Sequence, residues 1–337
     1  MASKHVTGTA GMSEAAAPDA SPKLSLVLAT RGEGSGLPRL FASLAAQTEP
    51  GFEVIIVDQN NDDRLAAPLA DARALGLNLT HLHQREANLS AARNLGTANA
   101  RAPIVGFPDD DCWYHPACLA QVAMRACAAT ASPTNTYESS AAVGAASVVS
   151  NPTASPLASV VAHWVESPLA GNAPAASALQ RERWRAFHGG DASSIALFIR
   201  REALNRVGGF DPLLGVGRYF GAGEETDLVL RLLDAGEPLL REPGAIVHHA
   251  PPGGLTGGVQ GFAAVRQRAR GTGAIYAKHR LAWPIILRGL LGPWPAALRN
   301  RPGPAAITQA AAVTLGRLEG LMALARATAS VMITPTP

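Results

Sequence analysis

Short apolar runs of β-type composition alternate along this chain with stretches whose apolar residues recur every three or four positions. Residues 24–29, 53–57, 77–83 and 103–107 read as four strands. Between them Leu37, Leu40, Phe41 and Leu44 keep a helical spacing, residues 66–75 form a helix that Gly76 caps, and Ser90 is a candidate N-cap for a helix through residues 91–96. Strands separated by helices of this length predict a mainly parallel α/β sheet with right-handed crossovers. The alternation continues with a helix at 117–128, strands at 142–149 and 194–199, helices at 201–207 and 228–235, and a strand at 244–247 that leads into His248-His249. Residues 129–140 and 151–177 read as irregular, and no internal repeat is present.

Polar clusters follow the strands. The first ends in Thr30-Arg31-Gly32-Glu33-Gly34-Ser35-Gly36, the second in Asp58-Gln59-Asn60-Asn61-Asp62-Asp63, and the fourth in Asp109-Asp110-Asp111. In an open α/β sheet ligands bind beyond the carboxyl ends of the strands, so these clusters share one edge. Asp109 and Asp111 stand one residue apart, and a local turn can bring both to one hard divalent cation such as Mg2+ or Mn2+, with substrate phosphates completing the shell. A solvated acidic loop is the alternative.

Composition narrows the class. The chain has 337 residues, 47% of them hydrophobic, which is ample for a packed core. Aromatic residues make up only 5%, and nothing resembles a nucleic-acid reader. Cys112, Cys118 and Cys127 are odd in number and lack a CxxC or paired His motif, which fits reduced thiols of a cytoplasmic protein, with zinc as the minor alternative. No apolar run reaches the roughly 18 residues needed to span a bilayer. From residue 255 onward ten Lys and Arg face one acid, a charge of +9 that leaves −6 for residues 1–254. The expected organisation is a disordered leader at 1–22, an α/β domain at 23–254, and a helical basic region at 255–337. That last region combines Arg266, Arg268, Arg270, Lys278, Arg280 and Arg288 with Trp283, Ile285, Ile286, Leu290 and Trp294. Two readings suit it: contact with an anionic membrane surface, or packing against the catalytic core.

Four motifs in order carry a resemblance to the family 2 glycosyltransferases with the GT-A fold. They are the first strand with Thr30-Arg31, the second with Val57-Asp58, the Asp-x-Asp of Asp109 to Asp111, and the acidic helix start Gly223-Glu224-Glu225-Thr226-Asp227. Ala92-Arg93-Asn94 and Gly208-Gly209-Phe210-Asp211 are also similar to the family, and the resemblance spans roughly residues 23–250. Two departures stand out. Glu225 occupies a position commonly held by Asp, and Gln59-Asn60-Asn61 replaces the usual acidic, Gly and Ser continuation.

The resemblance implies a metal-dependent inverting enzyme that moves a sugar from a nucleoside diphosphate sugar, a UDP-sugar first, to a hydroxyl of a saccharide or lipid-linked acceptor. It implies a role in bacterial surface or extracellular polysaccharide synthesis, in the cytoplasm or at the inner membrane face. Thr30, Arg31 and Asp58 would line the base and ribose pocket, Arg93 would face the diphosphate, and Asp109 and Asp110 would contact the nucleotide sugar. Asp111 and Asp109 would hold Mn2+ or Mg2+, with His248 as a further ligand or else a packed histidine. Glu225 takes the catalytic base position, with Glu224 and Asp227 as alternatives. A non-catalytic nucleotide-sugar-binding relative is the second reading. A Rossmann dehydrogenase is the third, because Gly32 to Gly36 mimics a dinucleotide loop, yet it lacks the third spaced glycine and leaves the Asp triplet without a use.

Overall fold

The computed structural model describes residues 21–32, 34–131, 143–150, 194–235, 237, 239–249, 261–299 and 304–333. Residues 1–20 of the leader expected at 1–22, the irregular stretch at 151–177 and the domain boundary at 254/255 lie outside them. Among the described residues eight strands form one sheet: β1 (Leu24–Thr30), β2 (Phe52–Asp58), β3 (Leu79–His83), β4 (Ile104–Gly106), β5 (Cys112–Tyr114), β6 (Val143–Ser150), β7 (Leu197–Arg200) and β8 (Leu239–His249), in the order β3-β2-β1-β4-β7-β6-β8-β5. The first four pair in parallel, as the helical crossovers require. Beyond β4 the sheet is mixed, since β7 runs antiparallel to β4 and β6, and β5 antiparallel to β8, while β6 and β8 are parallel.

The helices among the described residues are α1 (Leu37–Ala45), α2 (Ala66–Ala74), α3 (Leu89–Ala98), α4 (Cys118–Ala131), α5 (Arg201–Arg206), α6 (Glu224–Asp234), α7 (Phe262–Lys278), α8 (Trp283–Leu291), α9 (Pro293–Arg299) and α10 (Pro304–Ile333). The side-chain period of two divides the central strands between two cores. Leu24, Leu26, Leu28, Val54 and Ile56 pack with Leu40, Phe41 and Leu69 on one face. Val27 and Ile55 pack on the other with Phe210, Leu228 and Leu232.

Ala274 and Ile275 of α7 and Leu324 of α10 belong to this second core. The basic C-terminal region is thus seated on the α/β domain through its inner helices. An ion network reinforces the seat. Asp227, fully buried on α6, meets Lys278 Nζ at 2.8 Å, His279 Nε2 at 3.0 Å and Arg231 Nη2 at 2.7 Å, and Lys278 also pairs with Asp211. Burial pushes the Asp227 carboxyl up, but the His279 hydrogen bond and the charges of Arg231 and Lys278 outweigh it and hold the group at about 2.

Several local features differ from expectation, the first being that residues 194–196 form a 3-10 turn and the strand expected from 194 begins at Leu197. The three-residue strand β5 is too short to show a period in sequence. Residues 129–131 continue α4 rather than opening a loop. The N-cap of α3 is Asn88, whose side chain accepts from the Ala91 N–H, while Ser90 Oγ donates to the Leu214 carbonyl and pins the loop after α5.

Candidate active site

The carboxyl ends of β1, β2 and β4 meet as expected, and close backbone approach holds them there. A Cβ at Gly36 would stand 2.1 Å from the Asp110 carbonyl oxygen, so only glycine lets the loop after β1 cross the acidic turn. Thr30, buried at the end of β1, donates from Oγ1 to Asp110 Oδ2 at 2.5 Å. Burial and the neighbouring charges of Asp109 and Asp111 raise the Asp110 carboxyl, against that hydrogen bond. Arg31 is exposed at the lip of the same edge.

Asp109 and Asp111 point to a common space, and the imidazole that joins them is His249. One ligand atom from each of the three lies within 4.8 Å of the others. His249 Nε2 is 3.0 Å from Asp111 Oδ1, and this hydrogen bond holds the Asp111 carboxyl below its ordinary value. His248, expected as a further ligand or else a packed histidine, stacks on Trp113 with ring centroids 5.4 Å apart. The reason is strand alternation. β5 pairs Cys112 with His249 and Trp113 with His248, so one histidine turns to the acidic turn and its neighbour to the indole. Two carboxylates and one imidazole, with Asp111 half exposed, suit an ion that keeps positions open for other oxygen ligands. The imidazole favours Mn2+ over the harder Mg2+.

Arg93 connects this cluster to the acidic helix start. Its guanidinium is buried, with Nη2 donating to Asp109 Oδ1 at 3.1 Å and Nη1 to Glu224 Oε1 at 3.3 Å. Arg93, expected to face the diphosphate, spans two carboxylates that lie far apart in sequence. Arg93→Met leaves Glu224, only 3% exposed, without that charge. Breaking a buried pair from one side costs about 3–5 kcal/mol, and the partial exposure of Asp109 favours the lower figure. Urea unfolding of the variant checks this, and a loss below about 1 kcal/mol would show that the bridge does not hold the site.

At the start of α6, Gly223 takes φ +96, a left-handed conformation that bends the chain sharply into the helix. Glu224 then points inward against the loop at Gly215, and Glu225 stays partly exposed. Loss of hydration and the adjacent Glu224 carboxylate push Glu225 up to about 8, with Arg93 pulling the other way. Asp227, the third acid, faces away into the α7 network described above. Of the three, Glu225 alone is accessible, and its carboxyl is shifted toward neutral pH.

Asp58 ends β2 at the edge that carries the site. Its Oδ1 accepts from the Asn60 N–H and Nδ2, and its Oδ2 lies 3.3 Å from His81 Nε2. The neighbouring departures from the family pattern act as braces: Asn60 Oδ1 accepts from the Gly32 N–H, and Gln59 Oε1 from the Asn88 N–H. Pattern reading cannot find such residues, because their partners lie 28 or 29 positions away.

The family model described as Glycosyl transferase family 2 matches residues 25–207, more than half of the chain. The chain is 29% identical over 238 residues to the pre-mycofactocin glycosyltransferase of Mycobacterium tuberculosis, covering 67% of this chain and 42% of that one. It therefore spans less than half the length of that relative. Among solved structures, S. aureus TarS matches with a TM-score of 0.50 and 13% identity over 88% of this chain and 55% of that one, a likeness of fold alone. A mannosyltransferase from Pyrobaculum calidifontis, in complex with GDP-Man and Mn2+, gives a TM-score of 0.49 at 16% identity, over 95% of this chain and 78% of that one.

Proposed function

The chain belongs to the family 2 glycosyltransferases, and from that premise we propose that it transfers a sugar from a nucleoside diphosphate donor to a hydroxyl acceptor with inversion. The observation that carries this reading is the Arg93 bridge, which sets the Asp109, Asp111 and His249 cluster beside the Glu224-Glu225 helix start. Glu225 accepts the acceptor hydroxyl proton as that oxygen bonds to the anomeric carbon and the bond to the diphosphate breaks. Glu224 and Arg93 act as positioning residues. Asp109, Asp111 and His249 would hold a divalent ion, Mn2+ first, which when bound neutralises the departing diphosphate. Thr30, Arg31 and Asp110 sit where a nucleotide would lie, with a UDP-sugar as the first donor to test. Asp58 ends β2 on the same edge, with Oδ1 held by Asn60.

The acceptor is a saccharide or a lipid-linked sugar, in surface or extracellular polysaccharide synthesis, as the family implies. Incubation with a panel of nucleotide sugars and Mn2+, read as nucleoside diphosphate release, tests the reaction. Release from at least one donor supports it. No release from any donor, together with no donor binding, overturns it.

The C-terminal region supports a peripheral contact with membrane. No helix among the described residues is long and apolar enough to cross one. On α8, Ile286 and Leu290 turn inward, while Trp283, Leu287 and Leu291, at spacings of four, are 67%, 50% and 61% exposed. An apolar stripe beside exposed Arg280 and Arg288 suits an anionic leaflet, at about 1 kcal/mol per basic residue near the surface. The full chain is expected to float with anionic vesicles at low salt and to remain at the bottom once Trp283, Leu287 and Leu291 are all Ser. Equal flotation of the two proteins would remove α8 from the contact.

A further inference from the structure

A second group of metal-type side chains converges at the outer edge of the sheet. His81 and His83 stand two apart on the edge strand β3 and so share a face. Asp58 ends β2 in register with His83. One ligand atom from each of the three lies within 4.8 Å of the other two.

The carboxylate is held as a ligand would be. Hydrogen bonds from the Asn60 N–H at 2.8 Å and Nδ2 at 2.9 Å fix Oδ1, and Oδ2 is presented to His81 Nε2 at 3.3 Å. Outer contacts of this kind orient metal-bound carboxylates. A His–Asp hydrogen bond alone accounts for one imidazole, whereas here a second ring sits with its centroid 4.4 Å from the first, tilted by 50°. A tetrahedral ion with bonds of about 2.0–2.2 Å keeps its ligand atoms roughly 3.4 Å apart. The Asp58–His81 separation already has that value, and rotation of the exposed His83 ring can close the remainder.

Three protein ligands leave a fourth position, and the group lines a cavity of about 290 Å³. Asp62, Asp63 and Arg73 share its wall, so carboxylates outnumber guanidinium groups three to one. Two imidazoles and one carboxylate select a borderline ion of the zinc class over Mg2+.

We infer that Asp58, His81 and His83 form a divalent-metal site of the zinc class, separate from the Asp109, Asp111 and His249 cluster, with one coordination position open to the cavity. An ion there ties β2 to the edge strand β3 and stabilises the folded chain by mass action.

Co2+ serves as the probe, titrated into the full chain and read by visible absorption and calorimetry, with thermal unfolding recorded alongside. Wild type is expected to bind one more equivalent than H81A/H83A, and its melting temperature to rise with metal by several degrees more than the variant's, which keeps the Asp109, Asp111 and His249 cluster. The single H83Q variant changes only an exposed side chain, so it guards against misfolding of the double variant, and it is expected to weaken that equivalent at least about tenfold. D111N is expected to keep it. Unchanged stoichiometry and affinity in both H83Q and H81A/H83A would overturn the site.

Discussion

Glu225→Gln is expected to lower the transfer rate by roughly 10²- to 10⁴-fold while donor binding survives. An acceptor hydroxyl is a poor nucleophile at neutral pH, and the exchange keeps the size of the side chain while removing the basic oxygen. Glu224 is the competing candidate, but it is buried and committed to Arg93. Glu225 alone faces the accessible side of the helix start. Its carboxyl is pushed up to about 8 by lost hydration and by Glu224, so the base is largely protonated at neutral pH and kcat/KM should climb as pH rises to that value, then level off. The sign follows from the role, because only the deprotonated form can accept a proton. Rate assays of the variant across pH check both points. A near-normal rate in Glu225→Gln with Glu224→Gln inactive moves the base one residue back.

Chelation is expected to abolish donor turnover, and Asp111→Asn to reduce it at subsaturating Mn2+ by at least about a hundredfold, since even outer-sphere changes cost metal sites 10- to 100-fold. His249 and His248 provide the finer test. His249 Nε2 contacts Asp111 while His248 stacks on Trp113, so His249→Ala should weaken Mn2+ binding and His248→Ala should leave it near wild type. Metal titration of the two variants, followed by donor turnover at several Mn2+ concentrations, measures this directly. Full activity in excess chelator would remove the ion from the reaction.

Some of this protein is written in local pattern. The alternation of apolar runs and helical spacings from Leu24 to Phe107 dictates four parallel strands with helical crossovers, because periods of 2 and 3.6 decide which residues can share a core. The polar clusters at the strand ends, and so the edge that carries the site, follow from the same pattern. The acidic triplet and the Gly223-Glu224-Glu225 helix start are legible too, since the chemistry they suit depends on residue type and short spacing.

What tertiary structure decided is each choice between near neighbours. Whether His248 or His249 reaches Asp111 depends on the register of β5 against β8, strands separated by more than a hundred residues and paired by hydrogen bonds that no local period announces. Glu224, Glu225 and Asp227 are equivalent as acids at a helix start, and they divide into a clamped, an accessible and a buried group only when Arg93 arrives from α3, Lys278 from the end of α7 and His279 from the residue that caps it. Arg93 and Asp58 find their partners across the fold for the same reason. A charged side chain takes the partner that the fold brings nearest, and that partner is set by packing between distant elements rather than by the sequence around it.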